Sequence, residues 1–227
     1  MQHAEEMEPI SSFCFRTRGI DEASGLGTAC VMATLETERL TLRSLRRVDA
    51  AEFARLAGDW AVASMTSDIP YPFSERQAQG WLTPVRGEVR FAIEREGQLI
   101  GGVGFYRRAS GTAELGFWLG RHWWGRGYTT EAARAVVQHG FKAHRVPGFT
   151  SAHFVDNPAS GRVLAKLGFE PASRGWIGCA ARGHDVQVLT FWLDRKRATL
   201  AMPAMAARPP VHQRWRAWLT RLGATTS

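Results

Sequence analysis

The segment RLTLRSL at 39–45 sets Leu40, Leu42 and Ser44 against Thr41, Arg43 and Leu45, the period of two expected of a half-buried strand. Behind it the period becomes helical: Phe53, Leu56 and Trp60 share one face of DAAEFARLAGDW, and Asp49 stands where a cap is needed. Ser74 heads a second short helical run, SERQAQGWL at 74–82. Between the two lies AVASMTSDIPYPF, an aromatic, proline-bearing connection of the kind that walls pockets. Strand-like runs follow at 89–95, 99–107 and 112–120, separated only by turns at Glu96-Gly97 and Ser110-Gly111. Connections that short make antiparallel neighbours. A long helical run at 128–141, a strand at 149–155, a helix at 158–167 and strands around 171–178 and 186–193 complete the pattern. The predicted order is β, two helices, three strands, helix, strand, helix, two strands, a mixed α/β (α+β) domain around a largely antiparallel sheet. No internal repeat is visible.

The two ends do not share this pattern. Residues 1–33 hold no sustained period and contain DEASGLGTA, so they read as a poorly ordered N-terminal extension; Met32, ahead of ATLETERLTLRSL, looks like a natural start. From Ala198 on, the RPP at 208–210 interrupts any helix. Beyond it VHQRWRAWLTRLG places Val211, Trp215, Leu219 and Leu222 on one face. Residues 198–227 therefore read as a basic tail with a short amphipathic helix, outside a domain at 34–197. A chain of 227 residues accommodates one substantial core with such extensions.

The formal charge of +8 is unevenly placed. Residues 1–30 carry five acids against two arginines, whereas 203–227 carry four arginines and no acid. A basic excess attracts nucleic acid, anionic lipid or a polyphosphate alike, so the sum does not choose a partner, but it makes the tail a candidate for holding an anionic surface. Cys14, Cys30 and Cys179 are odd in number, widely spaced and without a CxxC pair, which points to a reducing compartment. The histidines form no HExxH or comparable pattern, so no metal is expected. No apolar run of about 18 residues exists to cross a bilayer, and the start MQHAEEMEPI is acidic where a secretory signal is positive; the expected location is cytoplasmic.

Chemistry concentrates in two stretches. In WWGRGYTTEAARAVVQHGF (123–141), Gly125 and Gly127 precede a helix start, where unpaired N–H groups and a partial positive charge let a phosphate approach several donors. Arg126 adds a full charge. Locally the glycines fit a simple turn as well. No GxxxxGK[ST] is present, and the three-glycine dinucleotide pattern is incomplete and follows an antiparallel block, so a different anion is needed. In DNPASGRVLAKLGF (156–169), Asn157 caps, Pro158 takes the first helical position, Val163, Leu164 and Leu167 form the apolar face, and Gly168 ends the helix so that Phe169 closes on Leu164. That account needs no ligand.

Together AELGFWLG, WWGRGYTTEAARAVVQHGF and DNPASGRVLAKLGFEP, in this order and spacing, resemble the GNAT superfamily of acetyl-CoA-dependent N-acetyltransferases, and within it the RimJ/RimL-like branch that acts on ribosomal-protein N-termini. The resemblance runs from about Thr34 to Arg195 and includes ETERLTLR and IPYPFS. It implies a GNAT fold whose sheet splays between the fourth and fifth strands, 112–120 and 149–155, with the pantetheine arm in the opening. The backbone of Phe117, Trp118 and Leu119 would pair with that arm like an added strand. Trp124, Gly125, Arg126, Gly127, Tyr128 and Thr129 would cradle the diphosphate, with Asn157 also at the cofactor. Trp124 and Thr129 depart from the family's polar first and small last residues of this loop. Phe117 and Leu119 also fit ordinary core packing.

For catalysis the resemblance implies Glu114 as base, an N–H at Leu119 or its neighbour for the oxyanion, and Ser160 or Asn157 beside the sulfur. Glu114 equally fits an exposed strand position, and Ser160 a bond within its own helix turn. Many relatives place a tyrosine acid near this helix, but the tyrosines here are Tyr71, Tyr106 and Tyr128. Trp60, Tyr71 and Phe73 are candidates for the acceptor wall or for loop anchoring, and His153 and His184 stay unassigned. The implied reaction moves acetyl from acetyl-CoA, without a metal, to a primary amine such as a protein N-terminus. An aminoglycoside, polyamine or other small-molecule acceptor is the alternative. From another class comes an idle GNAT-like binding module attached through its tail, with Trp215 and Trp218. The chain is expected to act as a monomer or homodimer.

Overall fold

The computed structural model describes residues 34–83 and 85–202. The expectations for 1–33 and for the tail helix, with Cys14, Cys30, Trp215 and Trp218, lie outside the described residues.

Eight strands form one sheet: β1 (Leu35–Glu36), β2 (Thr41–Arg43), β3 (Glu88–Arg95), β4 (Gln98–Arg107), β5 (Ala113–Leu119), β6 (Gly148–Phe154), β7 (Glu170–Cys179) and β8 (His184–Asp194). Their order is β1-β2-β3-β4-β5-β6-β8-β7. Every pairing is antiparallel except β5 with β6, so the mixed, largely antiparallel sheet expected from the pattern is the one observed. The parallel pair follows from its connection: α4 (Tyr128–Ala143) crosses between the two strands, as a parallel return requires.

Alternation along the strands feeds two cores on opposite faces. On one face α4 lays Ala132, Ala133, Val136, Val137 and Phe141 against Phe91, Val103, Phe105 and Leu115. On the other, α1 (Ala50–Ala57) and α3 (Glu75–Trp81) pack Phe53, Leu56 and Trp81 against Trp118. Local signals explain the helix ends. Ser74 and Gln77 form a reciprocal capping box on α3. Asn157 caps α5 (Pro158–Lys166), and the Phe169 amide donates back to the Leu164 carbonyl at 3.1 Å.

Several details differ from the sequence pattern, among them the helix read through Trp60, which ends at Ala57 with Trp60 opening α2 (Trp60–Ala63). The strand read at 39–45 is β2, confined to Thr41–Arg43, because the chain turns into a 3-10 segment, Arg47–Asp49. Asp49 does not cap α1: its carboxylate accepts from Arg43 at 2.7 and 2.9 Å and from the Arg46 amide at 2.6 Å. The boundary drawn at 197 falls inside α6 (Arg195–Ala201), whose Ala198 is buried with Met202 in the α4-side core.

Candidate active site

β5 and β6 are in register only at Ala113–Phe149 and Glu114–Thr150, and then part. The Thr150 and Ser151 hydroxyls reach the Ala113 and Leu115 carbonyls at 3.4 and 3.0 Å, the last links before the gap. Beyond them opens a cleft. Leu115, Gly116 and Phe117 form one side and Ser151–Phe154 the other, with Asn157 and Ser160 at the head of α5.

Strand parity decides which main-chain groups face this cleft. The Gly120 amide bonds to the Ile100 carbonyl, so in the β4–β5 ladder the even residues of β5 turn their N–H and C=O toward β4. Phe117 and Leu119 therefore point theirs toward the gap, and Trp118 does not. Trp118 is thereby corrected as a pairing position: its backbone belongs to the ladder and its side chain to the α1–α3 core. The Leu119 carbonyl is also engaged, accepting the Trp124 indole N–H at 2.6 Å. Trp124 is 45% exposed, and its indole holds the gap-facing carbonyl of Leu119, leaving the Leu119 amide and the main-chain groups of Phe117 to a ligand.

The loop 120–127 delivers the chain to α4 with Gly125 at φ 75° and Gly127 at φ 78°. Both angles lie in the left-handed region that favours glycine. Crowding plays no part at Gly125, where a Cβ would meet no atom within 4 Å and the main chain is open. The Glu131 amide bonds the Gly127 carbonyl, and the amides of Tyr128, Thr129 and Thr130 ahead of it have no intrahelical acceptor.

Three arginines gather at this helix start. Arg39, from the β1–β2 turn, donates to the Arg126 carbonyl at 3.1 Å and lies 4.7 Å over the Tyr128 ring. Arg95, ending β3, sits 5.3 Å from the same ring, and Arg126 sits 5.4 Å from Trp123. Glu131 is the carboxylate in the first turn, and Thr37 and Arg39 engage it, holding it below its ordinary range against the opposing effect of burial. The site thus combines free helix amides with guanidinium groups, the donor set that suits a diphosphate. Arg39 and Arg95 escaped the sequence reading because each lies far along the chain from the loop.

Asn157 Oδ1 accepts from the Ser160 amide at 3.2 Å, so the side-chain carbonyl caps α5 while its NH2 stays available at the cleft. His153 also lines the cleft, with Nδ1 bonded to the Phe154 carbonyl at 2.7 Å and its ring stacked on Phe191. His184 is exposed at the start of β8. Glu114 lies one residue before the cleft-lining Leu115 and, by alternation, on the face of Gly116 and Trp118. It is buried and paired with Arg108 at 2.6 Å. Burial pushes its carboxyl above the ordinary range, and Arg108 partly holds it back.

A further part of the lining comes from the loop singled out in the sequence, but through other residues: Met65, Thr66 and Ser67. Phe73 is 8% exposed within the α1–α3 core beside Phe53 and Trp81, so loop anchoring accounts for it and the acceptor-wall reading is withdrawn. Trp60 and Tyr71 are about half exposed and touch edge to face at 5.0 Å, outside the cleft lining. Among the described residues no group of His, Cys, Asp or Glu could hold a metal ion, and no helix is long and apolar enough to cross a membrane.

Comparison with known proteins bears on this arrangement. Residues 39–170 match the family model described as the acetyltransferase (GNAT) domain. The chain is 34% identical over 146 residues to the uncharacterized N-acetyltransferase YoaA of Bacillus subtilis, covering 60% of this chain and 82% of that protein. It is 35% identical over 81 residues to the ribosomal-protein-serine acetyltransferase of Escherichia coli, 35% of this chain and 45% of that one. In fold it matches Mycobacterium smegmatis RimJ in complex with CoA-disulfide, with a TM-score of 0.65 at 20% identity over 84% of this chain and 95% of the other.

Proposed function

The chain belongs to the GNAT acetyltransferase family and is an acetyl-CoA-dependent N-acetyltransferase, and from the make-up of its cleft we propose that it acetylates the α-amino group of a polypeptide N-terminus. One observation carries this choice of acceptor: among the described residues no carboxylate lines the cleft, whose walls are apolar and hydroxyl side chains with Asn157 and His153. A polyamine or aminoglycoside brings several ammonium groups, and burying them without carboxylates is costly. A peptide N-terminus brings one, with a pKa of about 7.7–8.0 against about 10.4 for lysine, so it reaches the neutral, nucleophilic form near physiological pH. The RimJ/RimL-like relatives support the same reading, which places the protein in the cytoplasm, where nascent or ribosomal polypeptides meet acetyl-CoA. The basic tail beyond residue 202 suits attachment to a ribosome, and the protein acts as a monomer or homodimer.

In this reading the amides of Gly125 to Thr129 with Arg126, joined by Arg39 and Arg95, hold the diphosphate. The Phe117 carbonyl and the Leu119 amide face the pantetheine arm, the Leu119 carbonyl being held by Trp124. When bound, acetyl-CoA supplies an activated thioester carbonyl. Glu114 takes the amine proton through water, its raised pKa bringing it closer to the working pH. The Phe117 amide stabilises the oxyanion. Ser160 and the Asn157 NH2 hydrogen-bond the departing sulfur.

Release of CoA measured across peptides beginning with Ser, Ala, Thr or Met, free amino acids, polyamines and aminoglycosides tests the acceptor. Peptides are expected to show the highest kcat/KM. A polyamine or aminoglycoside turned over better than every peptide would overturn the assignment.

A further inference from the structure

The turn joining β7 to β8 reaches across the molecule to the loop after α2 (Trp60–Ala63). The Ala180 amide donates to the Ser67 carbonyl at 2.6 Å, and Cys179 Sγ lies 3.2 Å from the Thr66 carbonyl. Arg182 does more. Its Nε donates to the Ser64 carbonyl at 2.7 Å, Nη2 lies 3.5 Å from Met65 Sδ, and Nη1 pairs with Asp156 at 2.7 Å. The guanidinium also covers the Phe154 ring at 5.1 Å. Met65, Thr66 and Ser67 line the cleft from the loop after α2, whereas Phe154 and Asn157, on either side of Asp156, line it from β6 and the head of α5. One planar group, 15% exposed at its side chain, is therefore bonded to both parts of the lining.

We infer that Arg182 is a positioning residue that fixes the separation of these two parts of the lining at the acceptor end, and so sets where the amine stands relative to the thioester. This rests on reading the cleft as the acetyl-transfer site. The chemistry explains the residue type: a guanidinium presents donors in a rigid fork and lies flat on an aromatic face, so it serves a backbone carbonyl, a carboxylate and a ring together. An ammonium reaches one of them. Asp156 is half exposed and its loss leaves the Ser64 tie intact, so the two ties are separable by mutation.

Three full-length variants test this: Arg182→Ala, Arg182→Lys and Asp156→Asn. KM is measured for acetyl-CoA and for a serine-initiated hexapeptide, CoA affinity by calorimetry, and amide hydrogen exchange at 62–68 and 154–160. For Arg182→Ala and Arg182→Lys the peptide KM is expected to rise about tenfold or more, with acetyl-CoA KM and CoA affinity moving less than about threefold. Exchange should quicken in both segments for Arg182→Ala, and only at 154–160 for Asp156→Asn. Unchanged peptide KM, or equal shifts in both KM values, overturns the role; so does unchanged exchange at 62–68. If Arg182→Ala does not fold, the lysine variant carries the same comparison. A wild-type enzyme that acetylates no peptide sinks the acceptor assignment instead, and exchange at 62–68 then decides the strap by itself.

Discussion

Glu114 illustrates how a single side chain is tuned by opposing influences. Burial favours its protonated form and Arg108 favours the carboxylate, with burial the larger, so its pKa stands above the ordinary value. A base must be ionised to act, so kcat/KM is expected to rise with pH through the Glu114 titration and again as the amine loses its proton near about 8. Replacing Arg108 with Met removes the influence that lowers this pKa, and the acid limb of the profile should move to higher pH. Glu114→Gln should lower kcat about 100-fold while CoA affinity stays unchanged, since the residue lies away from the glycine loop. Steady-state profiles between pH 5 and 9 check both. An acid limb in the same place in all three proteins would remove Glu114 from the mechanism.

The glycine loop and the helix it starts show what an element contributes that its residues alone do not. Aspartate is a favourable group at a helix N-terminus, so Gly127→Asp costs little there beyond the strain of φ 78°. The same carboxylate would stand where a diphosphate is to be held, and Arg39 Nη2 lies only 3.5 Å from the new Cβ, close enough to be drawn off as a partner. CoA affinity is therefore expected to fall about 100-fold or more with little change in Tm, measured by calorimetry and thermal unfolding. Normal affinity would return Gly127 to the role of a plain turn. Elements of this kind were legible because their signals are local. The Ser74 cap, the Asn157-Pro158 start and the Gly168 ending each lie within a few residues. The pairing of Phe117 and Leu119 with the gap was not legible beside that of Trp118, because it depends on ladder parity, which only the register to β4 fixes. Asp49 read as a cap because nothing nearby in sequence shows that Arg43 turns back to claim it. Arg182 gave no signal at all, its contacts to Ser64 and Met65 lying 118 and 117 positions away.

At the scale of the whole molecule, two sets of carboxylates respond to acid in opposite senses. Asp49 and Glu131 are held low by their arginine and hydrogen-bond partners, and each joins distant elements: Asp49 with Arg43 and Glu94 across β2 and β3, and Glu131 with Arg39 between α4 and the β1–β2 turn. Their contribution is present above the unfolded pKa and is lost as pH falls through the folded one. Glu88 and Glu114 are raised by burial, so they favour the fold below their unfolded pKa and that benefit fades as pH rises through the folded value. On acidification stability should thus first gain slightly as Glu88 and Glu114 take up protons, then fall steeply below about pH 4 as Asp49 and Glu131 do. Asp49→Asn separates the two phases. It strips a carboxylate from a guanidinium only 7% exposed, leaving Glu94 as its remaining acid partner, and should cost about 3 kcal/mol at pH 7. It should also flatten the acid decline, because the lost carboxylate can no longer titrate. Urea unfolding of both proteins from pH 3 to 8 measures this directly, and the two stability curves are expected to converge toward the acid end. Curves that stay parallel would mean that the Arg43–Asp49 pair does not carry the acid sensitivity of the fold.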